Sequence, residues 1–206
     1  MNLRIIIAGL TLALFQQTSQ AIPVVYFDFD GDGLQDTSVT AVSGSTLTAS
    51  LYVANVDDLE GGLLGWGSEI NFNNTLLSAN SYSIDNQWFL QGNNNINNAG
   101  SSVELFASRL GAGLTGTLKL ADISFDTLGA GSSLLTMNEL FADNAAFIGF
   151  GGANTPSYNY DAEIIFSSAN TTVNITAVPL PPAIVLFLSG LFGLVGIKKF
   201  KPEKLS

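Results

Sequence analysis

The sequence predicts an all-β fold, an antiparallel two-sheet sandwich, because three patterns agree. Between the two hydrophobic ends of the chain, short runs rich in β-branched and aromatic residues are separated by Gly, Asn, Ser and Asp. No stretch there keeps the 3.6-residue period of a helix. Residues 47–53, LTASLYV, alternate apolar and polar side chains, as a strand does when one face covers a core and the other meets water. Many short strands at this spacing are typical of a sandwich.

We expect about ten strands in this region. Within residues 115–125, TGTLKLADISF, the two leucines share a face, but Ile123 and Phe125 are one residue out of phase. An extra residue near Ala121 restores the face, so we predict a β-bulge there. The polar stretch QGNNNINNAGSS, residues 91–102, is predicted to be a long exposed loop. The predicted strands are residues 24–29, 37–42, 47–56, 66–72, 76–84, 102–110, 115–125, 134–141, 162–169 and 171–178.

The first 21 residues have the parts of a secretory signal peptide. Arg4 precedes the apolar run Ile5–Phe15, and the small residues Ser19 and Ala21 follow at the positions that a signal peptidase recognises. An apolar run of about 11 residues is too short to cross a hydrocarbon layer about 30 Å thick as a helix. We therefore predict cleavage after Ala21 rather than an uncleaved N-terminal anchor.

Residues 22–177 form one predicted domain, which is strongly acidic. They contain sixteen acidic residues and only two basic ones, Arg109 and Lys119, so the formal net charge of this part is −14. A surface of this charge repels phosphate backbones and anionic lipids. We expect no nucleic-acid partner, whereas cations and neutral or basic ligands are compatible with the domain.

The chain contains no Cys and no His. Their absence removes the Ser-His-Asp and Cys-His nucleophile systems and the usual ligand sets of transition metals. Two carboxylates suffice for glycoside hydrolysis, and Glu69, Asp85, Glu104 and Glu163 are candidates by residue type, but nothing in the sequence pairs them. We therefore expect no enzyme, and the oxygen ligands that calcium prefers remain available.

The stretch DFDGDGLQD has the spacing of a calcium-binding loop. Asp28, Asp30 and Asp32 occupy its first, third and fifth positions, Gly33 the sixth and Asp36 the ninth. Four carboxylates within nine residues repel one another unless a cation lies between them. The sequence therefore predicts a Ca²⁺ site with the four aspartates as ligands.

This loop is not an EF-hand, and a second interpretation stays open. Val39 stands where an EF-hand has its bidentate Glu, and the flanks are predicted strands rather than helices. A calcium site here needs a further ligand, for which Asp57, Asp58 and Glu60 are candidates. Alternatively, the segment is an acidic, Gly-rich turn whose residues serve the backbone conformation alone.

The two tryptophans differ in context. Trp66 is in phase with Ile70 and Phe72, which favours a place in the core. Trp88 lies in the polar stretch DNQWFLQG and is the better candidate for an exposed contact with a ligand such as a sugar ring.

The C-terminal segment predicts a transmembrane helix. Residues 183–197, AIVLFLSGLFGLVGI, carry no charge, and counting from Val178 the uncharged segment reaches about 20 residues, the length that crosses a bilayer as a helix. Lys198, Lys199 and Lys201 follow as a stop on the cytoplasmic side.

The order of parts in this tail resembles the PEP-CTERM sorting signal of Gram-negative bacteria. Val178, Pro179, Leu180 and Pro181 form a VPLP variant of its Pro-Glu-Pro motif, followed by the Leu- and Gly-rich run SGLFGLVG and a basic cluster. The resemblance implies that an exosortase, a membrane enzyme similar to cysteine proteases, recognises this motif and removes the tail near it. It also implies export through the inner membrane to the envelope or cell surface, with the helix in the membrane at least transiently, and an association with exopolysaccharide or biofilm.

The domain resembles cohesins and carbohydrate-binding modules of the jelly-roll type. The resemblance rests on residues 51–82, where an early strand and a loop precede a strand that ends in the turn Phe72–Leu76, FNNTL. It implies a jelly-roll sandwich with a dockerin-like protein or a polysaccharide as its partner.

These observations together indicate an exported, non-catalytic protein of the envelope or extracellular matrix. In this interpretation an exosortase system sorts it, and its role is adhesive or associated with exopolysaccharide. Two alternatives stay open. One is a permanently membrane-anchored module that binds calcium or polysaccharide, and the other is a two-carboxylate glycoside hydrolase.

Overall fold

The alternating sequence pattern forms twelve strands in the part of the chain that the computed structural model describes, residues 22–57, 61–140, 151–152, 166–179 and 186–192. The predicted all-β fold is confirmed. The strands are β1 (Val24–Asp28), β2 (Ser38–Val42), β3 (Thr46–Val56), β4 (Leu63–Asn71), β5 (Leu77–Ile84), β6 (Leu90–Gln91), β7 (Asn95–Asn97), β8 (Ser102–Ser108), β9 (Gly116–Thr127), β10 (Gly131–Glu139), β11 (Gly151–Gly152) and β12 (Thr171–Thr176).

The strands form two sheets that pack face to face. The smaller sheet has the order β1-β3-β9-β5. The larger has the order β2-β12-β10-β4-β8-β6, with β11 paired to β4 and β7 to β8. All described pairs are antiparallel except that between β12 and β2, which is parallel, so the prediction of a purely antiparallel sandwich is wrong at this pair. β2 is reached from β1 of the smaller sheet and not by a hairpin from a strand of its own sheet, so no tight turn imposes an antiparallel pairing on it.

The core lies between the sheets and is built from the inward positions of both. Trp66, Ile70 and Phe72 are buried, as their phase predicts. Phe72 meets Phe125 of the opposite sheet edge-on, with ring centroids 5.3 Å apart. Along β3 the alternation of the sequence is reproduced, since Leu51 and its in-phase neighbours are fully buried while the intervening side chains face outwards.

The predicted bulge in β9 is confirmed. Leu51 faces Ala121 across the β3–β9 pair, and Tyr52 faces Lys119, so Leu120 is the extra residue. Both Leu120 and Ala121 are buried. The inserted residue restores the inward face for the second half of the strand, as the phase shift in the sequence requires.

Two segments differ from their predicted structure. The Asn-rich stretch predicted as an exposed loop contains β6 and β7, which pair with β8. Asparagine side chains make this possible because they replace backbone hydrogen-bond partners. The side-chain Oδ1 of Asn94 accepts from the backbone amide of Phe106. The side chain of Asn98 accepts from the backbone amide of Ala79 and donates to its carbonyl. The predicted strand at 162–169 has Phe166–Ala169 in a 3₁₀ turn, and its other residues lie outside the described part.

The two ends of the domain lie at opposite ends of the sandwich. Val24 pairs with Ala54 near one end, whereas Thr176, the last residue of β12, pairs with Val42 at the other. The predicted signal peptide lies outside the described residues. In the predicted transmembrane segment, residues 186–192 are helical and exposed, and no helix within the described residues is long and apolar enough to cross a membrane.

Candidate functional site

The acidic loop predicted to bind calcium connects the two sheets. Asp28 is the last residue of β1 in the smaller sheet, and β2 in the larger sheet begins at Ser38. Asp28 itself is buried, while Asp30 and Asp32 are exposed and Asp36 is half-buried. The loop therefore connects the two sheets, and one of its four carboxylates is buried against the loop itself.

The Asp28 carboxylate organises the backbone of this loop. Its Oδ1 accepts from the amides of Asp30 (3.2 Å) and Gly31 (2.7 Å), and its Oδ2 accepts from the amide of Gly33 (3.0 Å). Gly31 and Gly33 have φ angles of 81° and 79°, in the left-handed region that favours glycine. The two glycines turn the amides inwards, so that three N–H groups compensate one buried negative charge.

Further hydrogen bonds connect the loop to both sheets. The Asp36 amide donates to the Phe27 carbonyl in β1 (2.9 Å), and the Tyr26 hydroxyl donates to the Gly33 carbonyl (2.8 Å). On the other side, the Thr171 hydroxyl of β12 donates to the Asp36 carbonyl. Burial, and then the neighbouring Tyr52 and Asp28 side chains, raise the pKa of Tyr26, which therefore remains a neutral donor well above neutral pH.

Three of the four predicted calcium ligands come together. One carboxylate oxygen each from Asp28, Asp30 and Asp36 lies within 4.8 Å of the others. Asp32 does not belong to this group, and its Oδ1 accepts from the exposed Leu34 amide at 2.8 Å. The Asp28 Oδ1 already accepts from two amides and Oδ2 from one, so on this carboxylate Oδ2 keeps a lone pair for a cation.

Of the suggested additional ligands, Asp57 alone lies within the described residues, and it is far from this cluster. Asp28 pairs with Ser50, and Asp57 follows β3 seven residues further on, which at the rise of a strand is roughly 20 Å away. Asp58 and Glu60 lie outside the described residues.

The prediction that Trp88 offers an exposed ligand contact is wrong. Trp88 is 1% exposed, and its indole Nε1 donates to the Lys119 carbonyl at 2.8 Å. The polar neighbours in the sequence belong to a turn, in which the Asp85 carbonyl accepts from the Trp88 amide and directs the ring into the core. The adjacent Phe89 is the exposed aromatic residue, at 56%.

A polar surface that the sequence did not single out covers the outer face of the smaller sheet. We call it the outer face and define it by the outward residues of β3 and β9 that are register partners across the two strands. Ser50 donates to Asp122 at 2.6 Å, and Thr46 donates to Asp126 at 2.9 Å. The members are Thr46, Thr48, Ser50, Tyr52, Lys119, Asp122, Ser124 and Asp126.

An ion pair and a ring stack complete the outer face. Lys119 Nζ lies 2.7 Å from Asp122 Oδ1. Burial lowers the pKa of Lys119, but the hydrogen bond and charge of Asp122 outweigh this effect and raise it overall. Tyr52 stacks on Tyr26, with centroids 5.4 Å apart and ring planes 11° from parallel. The sequence does contain a signal for this surface, because the polar positions of the alternating strands repeatedly carry hydroxyl and carboxylate side chains.

Two of the glutamates considered for hydrolysis become neighbours. Glu69 in β4 pairs directly with Glu104 in β8. They stand on the outward face of the larger sheet, with Asn138 and Asn95 on the flanking strands. An open sheet face does not enclose a sugar ring as a glycosidase cleft does, so this pair gives the hydrolase alternative little support.

The predicted sorting motif lies just beyond β12 and is described in part. Val178 is 60% exposed, and Pro179 is also exposed. Leu180 and Pro181 lie outside the described residues. The described half of the motif therefore follows the last strand directly and is accessible.

Solved structures with the same architecture exist although the sequences have diverged. The seventh type I cohesin of ScaB from Pseudobacteroides cellulosolvens matches with a TM-score of 0.52 and 13% identity over 78% of this chain and 96% of that one. The third cohesin of ScaC from Acetivibrio cellulolyticus, solved in complex with the ScaB dockerin, matches with a TM-score of 0.53 and 12% identity over 74% and 99%. The domain has the cohesin fold.

This fold is also that of a non-cellulosomal cohesin from the archaeon Archaeoglobus fulgidus, with a TM-score of 0.50 and 12% identity over 76% of this chain and 92% of that one. No protein-family model and no curated protein matches the sequence. The predicted cohesin-like sandwich is thus confirmed at the level of the fold.

We predict that Asp28 stabilises the domain even without a metal ion. In Asp28→Asn the side-chain NH₂ group faces at least one of the three backbone donors, so we expect a loss of about 3 kcal/mol in the free energy of unfolding. Asp32→Asn is the matched control and should cost less than about 1 kcal/mol, because its single bond is exposed. Urea denaturation in the presence of a chelator measures both, and equal losses for the two variants would contradict the role of Asp28.

Proposed function

We propose that this protein is an exported, non-catalytic interaction module that binds a protein partner through the outer face of its smaller sheet. The observation that carries the proposal is the outer face itself. Its hydroxyls and carboxylates are already held in fixed positions by the bonds from Ser50 to Asp122 and from Thr46 to Asp126. A surface of pre-positioned polar groups loses little side-chain entropy on binding.

The chemistry of this face favours a protein over a stacked sugar ring. Tyr26 is 5% exposed and stacks against Tyr52, so the pair does not present an open aromatic platform. Hydroxyl, carboxylate and ammonium groups instead suit the polar and wet contacts of a protein interface. The cohesin fold supports the same choice, since one of the similar cohesins is solved with a dockerin bound. A dockerin-like protein is the partner we propose.

A photo-crosslinking amino acid placed at Thr48, on the outer face, should give one discrete protein adduct in living cells. The matched control carries the crosslinker at Asn138, which is exposed on the larger sheet, and should give none. Asp122→Lys removes the ion pair with Lys119 and reverses a charge, so it should weaken the purified interaction at least about tenfold.

Equal adducts from both positions would contradict the outer face as the binding surface. Adducts with polysaccharide alone would favour the alternative of a polysaccharide-binding module. Thermal melting of the Asp122→Lys protein serves as the control for folding.

We further propose that Asp28, Asp30 and Asp36 hold a calcium ion that strengthens the connection between the sheets. The cluster offers three carboxylates, and hard oxygen ligands are those that calcium takes. Adding a chelator should lower the melting temperature of the purified full chain, because an ion that binds only the folded state stabilises it by mass action. Asp30→Asn should remove most of this response. An unchanged melting temperature with and without chelator would refute the site.

For localisation we propose export through the inner membrane, transient anchoring by the C-terminal helix, and cleavage by an exosortase near Val178–Pro181. Support comes from the order of motif, apolar run and basic cluster in the sequence, and from the exposed position of Val178 and Pro179 after β12. Intact mass spectrometry of the protein from cells with and without the sorting enzyme tests this. If the mature chain keeps its Lys-rich tail in cells of both kinds, the proposed cleavage is wrong and the permanently anchored alternative is favoured.

A further inference from the structure

The floor of a small cavity at one end of the larger sheet is formed by the backbone of paired strands. Gly65 of β4 and Ser108 of β8 are register partners, and Leu90 of β6 pairs with Ser108 on its other side. A Cβ added at Gly65 would lie 3.1 Å from the Ser108 Cβ, so the absence of a side chain at Gly65 keeps the floor open. The cavity measures about 140 Å³, and its lining is Leu64, Gly65, Leu90, Ser108, Arg109, Leu110 and Gly111.

The charged group in this lining is Arg109, whose side-chain Nε lacks a hydrogen-bond partner within the described residues. The Arg109 backbone amide donates to the Leu64 carbonyl at 2.9 Å, which fixes the residue at the end of β8. Its side-chain Nε is buried without a hydrogen bond, and within the described part of the chain it forms no ion pair. A buried N–H group without a partner carries a desolvation cost that a bound carboxylate would offset through a charge-assisted hydrogen bond.

The rim of the cavity is apolar and open to solvent. Leu110 is 70% exposed and Leu90 41% exposed. By the registers of β12, β10 and β4, Gly65 lies roughly 35 Å along the strand direction from Ile175, near which the chain leaves the domain. A protein held by its C-terminal tail would therefore present the cavity away from the membrane.

We propose that this cavity, the Arg109 pocket, docks a peptide segment of a partner protein in which an acidic side chain adjoins an apolar one. The carboxylate pairs with Arg109, and the apolar side chain enters between Leu90 and Leu110. The pocket is distinct from the outer face, so either interaction can be lost while the other remains.

Charge and size select this occupant. The domain has sixteen acidic residues against two basic ones, so a second copy of the chain would approach against strong repulsion. Arg109, for which the described part of the chain offers no ion pair, instead selects a single carboxylate within a segment that is otherwise apolar. Pockets for drug-sized ligands measure roughly 300–1,000 Å³, so a cavity of about 140 Å³ admits the one apolar side chain, with the carboxylate beside it at Arg109, rather than a sugar chain.

Titration of the ¹⁵N-labelled full chain in detergent micelles with the blocked dipeptide Ac-Leu-Asp-NH₂ tests the proposal. Saturable shifts of the backbone amide signals of Gly65, Ser108 and Gly111 are expected, with a dissociation constant in the millimolar range. Ac-Leu-Asn-NH₂, which lacks the charge, and Ac-Ala-Asp-NH₂, which lacks the large apolar group, should each bind about tenfold more weakly.

Two pairs of variants separate the pocket from general effects. Arg109→Gln should abolish the preference for Asp over Asn in the dipeptide, whereas Lys119→Gln, at the ion-paired cation of the outer face, should leave it unchanged. Leu110→Ser should weaken binding, whereas Leu128→Ser, at a leucine that is 54% exposed elsewhere, should not. The proposal is overturned if Ac-Leu-Asp-NH₂ gives no saturable shifts, if the Asn dipeptide binds equally well, or if glucuronate binds more tightly than the peptide.

Discussion

The structure depends on the charge of Asp28, which is buried where the chain passes from one sheet to the other. β1 ends at this residue on the edge of the smaller sheet, and β2 continues in the larger one. Three backbone amides compensate the carboxylate, and two of them belong to Gly31 and Gly33 in left-handed conformation. Burial of an isolated carboxylate costs free energy, so these hydrogen bonds and the connection from β1 to β2 form together. The crossing also brings β2 to the edge of the larger sheet, where it pairs in parallel with β12 and so joins an early strand to the last one.

A single inserted residue in β9 determines the chemistry of the outer face. In a regular strand, residues three apart point to opposite faces. The bulge at Leu120 shifts the phase, so that Lys119 and Asp122 both point outwards and form an ion pair. The same shift keeps Ile123 in the core. The bulge thus determines both which side chains of β9 pack in the core and which ones face outwards, and re-aiming side chains is a common effect of bulges.

The fold was predictable because its signals are local. Alternation identified the strands, and a phase error located the bulge. The burial of Trp88 was not predictable, since the polar residues around it form a turn whose direction depends on the Lys119 carbonyl 31 positions away. The grouping of Asp28 with Asp30 and Asp36 followed from spacing, but the exclusion of Asp32 depends on backbone angles that the spacing does not contain. The Arg109 pocket was hidden for a similar reason, because its floor unites residues from three strands.

The two basic residues of the domain stand in different surroundings. Its sixteen acidic residues make most of the surface repel anions, and only two cations interrupt that field. Lys119 is neutralised locally by Asp122 and belongs to a hydrogen-bonded surface. Arg109 forms no ion pair within the described residues and stands beside exposed leucines. A paired cation contributes to the order of a surface, whereas an unpaired one retains its attraction for a ligand. The arginine is therefore the point of this acidic domain at which a carboxylate is accepted rather than repelled.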